Sequence, residues 1–245
     1  MRRRAPGIAG AWLALASAAT LATGCAGSAA SASETAGERA EARAFAGAVN
    51  LRPADLPGFK VVFENEEGRP SPLDRRVERC DGGPIVSAAD HGVFSPLLQK
   101  QKVPVQTVLS GVYRMRSPSI ASAYISAADS PQGLRCTERE EVHKRASLPA
   151  GVRGEIEVSA LRRPLGAAGA SGARVWKCLA GPQPCSRSSS RSFTDRLWFA
   201  AGPYVVALFY IAGAQNEARG HEPVALLLER RLIALLYSRA QARTP

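Results

Sequence analysis

The side chains able to do acid–base or nucleophilic chemistry in this 245-residue chain are scattered. Three histidines, His91, His143 and His221, fall in segments that read as loops or helix edges. Asp90, beside His91, and Asp195 are the acids a Ser-His-Asp arrangement would draw on, because such triads assemble in space rather than along the chain. No GxSxG elbow, P-loop, GxGxxG or HExxH is present, so the patterned routes to acyl transfer, phosphate binding and zinc hydrolysis are missing. The acids at 64–67 and 138–141 sit in charged stretches that read as solvated faces. The residues therefore nominate no catalytic, cofactor-binding or metal site.

Cysteine carries the firmer signal. Of five cysteines, Cys25 stands near the start, which leaves Cys80, Cys136, Cys178 and Cys185. A zinc ribbon would need CxxC pairs or a histidine at ligand spacing, and neither occurs. An even set suits disulfides if the chain is exported. Three pairings are open. Cys178–Cys185 is favoured because Gly181-Pro182-Gln183-Pro184 can turn the chain between them, which leaves Cys80–Cys136. On loop entropy the short bridge contributes about 2.5 kcal/mol and the long one about 4 kcal/mol.

Export is what the start of the chain predicts. Arg2, Arg3 and Arg4 precede an uncharged run from Ile8 to Ala22, too short for a spanning helix of about 20 residues and suited to a signal peptide over 1–24. Leu21-Ala22-Thr23-Gly24-Cys25 resembles the bacterial lipobox, in which small residues admit the peptidase and the cysteine thiol takes the lipid. The resemblance makes Cys25 the lipidated N-terminus of the mature chain and the membrane its first partner. Residues 25–48, rich in Ala, Ser, Gly and Glu and without apolar periodicity, read as a disordered tether.

Residues 49–240 then form the folded part. Pro57-Gly58 signals a turn before a short strand at Val61 to Phe63. In 105–115 one alternating face carries Val105, Leu109, Tyr113 and Met115, a strand with one face on a core. Ser117-Pro118 caps a helix with the stripe Ile120, Ala121, Tyr124, Ile125 and Ala128, which Pro131 and Gly133 end. Strands at 154–161, 173–179, 193–201 and 204–212 form a meander, the last apolar on both faces and so central. Pro223 opens a final helix whose inner side is Val224, Leu227, Leu228, Leu232, Leu235 and Leu236. The fold class is α+β: an antiparallel sheet of about five or six strands with two main helices packed on one face.

With 32 Lys and Arg against 21 Asp and Glu, the formal charge is +11 and the pI is near 10.0. Losing Arg2–Arg4 leaves 29 basic residues against 21 acidic ones, or +8. Nucleic acid is the first partner such a charge suggests. Export and the lack of any nucleic-acid-binding pattern argue against it, and anionic lipids or wall polymers take its place. Arg162, Arg163, Arg187, Arg191 and Arg196 are candidates for a basic patch. Trp176, Trp198, Tyr204 and Tyr210 read either as core or as the lining of a pocket.

The order of lipobox, tether, "LRPADLPGF" opening, strand, Ser-Pro helix and cysteine resembles a group of uncharacterised actinobacterial lipoproteins. More distantly it is similar to the extracellular sensor domains of mycobacterial serine/threonine kinases and to Mog1/PsbP-like lipoproteins. These families imply an antiparallel sheet packed by helices, often with paired disulfides, and roles in envelope sensing or binding. The expectation is a non-enzymatic, lipid-anchored protein on the extracytoplasmic face of the membrane, binding an envelope protein or an anionic polymer. A carrier of a hydrophobic or anionic ligand is the alternative, with a cell-wall hydrolase behind it.

Overall fold

A computed structural model describes residues 36–64, 80, 92–100, 105–146, 153–165, 168–180, 191–213 and 224–244. Helix α1 (Ala36–Val49) comes first, followed by a single 3-10 turn at Pro53–Asp55. Strands β1 (Lys60–Phe63), β2 (Gly92–Phe94), β3 (Leu97–Lys100) and β4 (Gln106–Arg114) lead to helices α2 (Pro118–Ala128) and α3 (Pro131–Ala146). Strands β5 (Arg153–Leu165), β6 (Ala168–Ala180), β7 (Arg191–Ala201) and β8 (Tyr204–Gly213) precede the last helix, α4 (Val224–Gln241).

The eight described strands make one antiparallel sheet in the order β1-β3-β4-β8-β7-β6-β5, with β2 also on β4. The meander β5 to β8 is as the spacing predicts, and β8 lies inside, between β7 and β4. Strands β2 and β3 share the same edge of β4, broken at Ser95-Pro96. Proline cannot donate to a ladder. Ser95 closes the gap with its own atoms: its N–H donates to Ser110 O at 2.9 Å, and its Oγ accepts from Ser110 N at 3.0 Å.

Helices cover both faces of the sheet. Along β8, Tyr204, Val206, Leu208, Tyr210 and Ala212 join one core with Phe45 and Val49 of α1 and Leu232, Ile233 and Leu236 of α4. The alternate residues Val205, Ala207 and Phe209 join a second core with Tyr113, Trp198 and Ala121 of α2. This corrects the expectation of two helices on one face, and the sheet is larger than five or six strands. It also explains β4, where Val108 and Val112, out of phase with Tyr113, are buried on the main core while Val105 is exposed.

Two further readings change. Residues 36–48 are helix, not tether. Ala42, Phe45, Ala46 and Val49 stand at i, i+3, i+4 and i+7, a helical stripe buried in the main core. Phe45 stacks on Tyr204 with centroids 3.9 Å apart. The compact folded unit accordingly runs from Glu34 to Pro245. Pro131 ends α2 but also begins α3: Ser130 Oγ accepts from Gly133 N at 3.0 Å, just as Ser117 Oγ accepts from Ile120 N at 3.3 Å.

Turn and cap chemistry fix the opening motif. Phe59 N donates to Leu56 O at 3.0 Å across Pro57-Gly58, and Gly58 has φ of 85°, which an L side chain resists. Asp55 accepts from Arg52 N at 2.8 Å and from both terminal nitrogens of Arg239 on α4, at 2.8 and 2.6 Å. Arg239 also reaches Asn50 O, and Asn50 Oδ1 accepts from Ser110 Oγ at 2.9 Å. The motif thus ties α1, α4 and β4 together.

Candidate functional site

The densest chemistry lies on the main-core face under α4. Sheet register aligns Ser159, Arg174, Asp195, Tyr210 and Val108 as one row across β5, β6, β7, β8 and β4. Strand alternation puts every member on the same face. Arg174 donates to Asp195 through Nε and Nη2, both at 2.7 Å. Its guanidinium also lies 4.6 Å from the Phe193 ring centroid and 5.6 Å from that of Trp176, inside the cation–π range.

Helix α4 adds Glu229. Arg163 of β5 donates to it through Nε at 2.7 Å and Nη2 at 3.4 Å, and Arg174 Nη2 stands 3.6 Å from its second oxygen. Asp195 and Glu229 are each 0% exposed. Burial, and then a hydrogen bond with the neighbouring Asp195, push the Glu229 carboxyl up to about 8, while Arg163 pulls it back only in part. Tyr210, also fully buried, has a hydroxyl with no hydrogen-bond partner. Burial, with Glu229 and Asp195 nearby, raises its pKa.

A second group sits on the opposite face. Glu141 of α3, 2% exposed, takes Lys177 Nζ at 2.5 Å and Arg196 Nη2. In both clusters the acids are buried and each is matched to a base that itself keeps some contact with solvent. Among the described residues, no three His, Cys, Asp or Glu side chains gather as a metal site, and no helix is long and apolar enough to cross a membrane.

The candidates from sequence disperse. Cys80 and Cys136 form a disulfide with Cα atoms 5.7 Å apart. Cys178 is disulfide-bonded and buried on β6. Cys25, Cys185, Asp90, His91, His221 and Arg187 lie outside the described residues, as do residues 1–24, which the sequence reads as a signal peptide. His143 is exposed on α3. Asp195 is locked to Arg174, not free for a triad.

The basic patch does not assemble from Arg162, Arg163 and Arg196. Arg162 is exposed and pairs with Asp129, Arg163 turns inward to Glu229, and Arg196 points through the other face to Glu141. Side-chain placement of Arg191 is outside what is described. Tyr204 and Tyr210 pack in the main core and Trp198 in the second. Trp176, Phe193 and Tyr210 contact one another at 5.2 and 6.0 Å between centroids and fill the core around Arg174.

Glu229, Arg174 and Lys177 are absent from the sequence candidates, and Glu141, read with the acids at 138–141 as part of a solvated face, is instead buried against Lys177 and Arg196. A usable signal exists for some of them. Asp195 falls in phase with Phe193, Leu197 and Phe199, and Glu229 lies three, four and seven residues before Leu232, Ile233 and Leu236. A charge in core phase on an amphipathic element must find a partner inside.

No protein-family model matches this chain, and no curated protein matches it. Among solved structures it is similar to the extracellular domain of PknH from Mycobacterium tuberculosis. The identity is 7%, the TM-score 0.36, and the match covers 81% of this chain and 93% of that one.

Proposed function

We propose that this chain is a lipid-anchored extracytoplasmic domain that binds or senses a partner and performs no chemistry of its own. The observation that supports this reading is the burial of the three acids in the two described clusters. Asp195, Glu229 and Glu141 are at most 2% exposed, and each is held in an ion pair with arginine. A general acid or base must reach a substrate proton directly or through one water. Asp195 and Glu229 are taken up by Arg174 and Arg163, and Glu141 by Arg196 and Lys177. The Cys80–Cys136 disulfide fits an oxidising compartment. The anchor follows from Cys25 and its lipobox-like surroundings, and the partner is to be sought among envelope proteins or anionic wall polymers.

Two measurements test the reading. Cys25→Ala should release the protein from membranes or leave it unprocessed; unchanged membrane retention overturns the anchor. Crosslinking on intact cells should capture an envelope component on the wild-type chain. Hydrolysis of purified cell wall by wild type, abolished in Asp195→Asn, would overturn the non-enzymatic reading.

A further inference from the structure

The two edges of the sheet differ in how they meet solvent. At one end of the strand order, β5 exposes Glu155, Glu157 and Arg162 and carries Pro164. Charges and proline of this kind keep an edge from pairing with another chain. At the other end, the middle of β1 is apolar: Val61, Val62 and Phe63 are 37%, 44% and 63% exposed. All of β1 is exposed, so neither face of the strand is covered. On its inner side β1 pairs with β3, Val61 facing Leu98 and Phe63 facing Leu97, and a bulge sets Val62 out of that ladder. Among the described residues no strand pairs with its outer side. The charges stand at the two ends, Lys60 before the apolar residues and Glu64 after them. Both are exposed and, among the described residues, enter no ion pair.

The segment Lys60-Val61-Val62-Phe63-Glu64 is its own complement when read backwards. Two copies laid antiparallel, Val62 against Val62, set Lys60 opposite Glu64 at both ends and Val61 opposite Phe63 between them. A parallel pairing would set Lys60 against Lys60 and Glu64 against Glu64. We propose that β1 is a homodimer edge: a second copy of this chain pairs with it antiparallel, about a two-fold axis at Val62, and joins the two sheets into one. Backbone hydrogen bonds fill the open edge. The Val62–Val62 and Val61–Phe63 pairs take apolar surface out of water, and the two Lys60–Glu64 pairs fix direction and register. Each copy offers the same patch, so the contact closes on itself as a dimer. The charged edge at β5 keeps the joined sheet from growing at its far ends. A contact of one short strand a side is small, and its dissociation constant is expected at about 10–500 µM. The pairing goes beyond the function proposed above and does not depend on it. Anchoring both copies to one membrane, on that reading, would favour it by raising their effective concentration.

Sedimentation velocity on the full chain, in detergent micelles kept in large excess over protein, tests this over about 5 µM to 1 mM. The wild type should pass from monomer to dimer within that range. Lys60→Glu alone places two acid–acid pairs across the axis, and Glu64→Lys alone places two base–base pairs. Each should weaken the dimer about tenfold or more. Mixed in equal amounts, the two variants present acids on one chain and bases on the other, and should associate at least as tightly as the wild type. The double variant Lys60→Glu/Glu64→Lys keeps the complement in reversed order and should dimerise within about threefold of the wild type. A wild type that stays monomeric throughout, single variants that dimerise like the wild type, or a mixture no tighter than either variant alone overturns the β1 pairing.

Discussion

Arg174→Met isolates what the central charge row contributes. The substitution keeps a long apolar stem between Trp176 and Phe193 but removes two 2.7 Å bonds to an aspartate that is 0% exposed. Removing one partner of a buried pair costs about 3–5 kcal/mol, because the other charge stays uncompensated. The lost cation–π contacts add about 1 kcal/mol. The expected total is about 4–6 kcal/mol near neutral pH. Divided by a urea slope of about 2–3 kcal/mol per molar, that lowers the midpoint by about 1.3–3 M. Tryptophan fluorescence reads the transition, since Trp198 is buried in the second core and Trp176 sits beside the row. The companion Arg174→Met/Asp195→Leu removes charge and countercharge together and should recover most of the loss. A single variant within about 1 kcal/mol of wild type, or a double variant no more stable than the single, would refute the view that Arg174 is what holds Asp195 in the core.

Other parts of the fold can be tested separately. Phe45→Ala should cost about 3–4 kcal/mol by thermal melting, since the ring is buried and stacked on Tyr204, and a chain begun at residue 49 should not fold. Gly172→Ala should abolish soluble expression, because a Cβ there would lie 1.9 Å from Arg196 O; Gly47→Ala, with nothing within 4 Å, should instead raise stability by about 0.5–1 kcal/mol. Burial raises the Asp55 carboxyl, but bonds from Arg239 and Arg52 outweigh it and hold its pKa below the usual value. Its contribution is therefore present at neutral pH and lost as pH falls through the lowered value. Asp55→Asn should cost about 1.5–3 kcal/mol at pH 7 and less at pH 3, measured by urea unfolding at both pH values.

Strands with regular alternation and tight turns were legible from residue order alone, which is why the meander from β5 to β8 and the helices α2 and α4 stand close to where the spacing puts them. The misreadings share a physical cause. Alanine is apolar enough to pack yet common in unstructured tethers, so Ala42 and Ala46 around Phe45 show their stripe only once a core exists to receive it. The dipeptide Ser-Pro starts both α2 and α3, but at 130–131 it directly follows a helix and reads as a stop. One-faced packing is the simplest account of an alternating strand, and Val105 to Met115 supports it until a second helical layer covers the other phase. The charge row was hidden because Arg174, Asp195 and Glu229 are distant in sequence. Their core phase is visible, but their mutual contact is a product of the register.

That register has a further protection. On β7, Asp195 points to one side of the sheet and Arg196 to the other. A slip of one residue would exchange them. Asp195 would then meet Glu141, acid against acid, while Arg196 would be thrust among Arg163 and Arg174, base against base. Misaligned pairing of this strand is thus penalised on both surfaces at once, by charge as well as by lost apolar burial. The adjacent opposite charges proofread the assembly of the sheet.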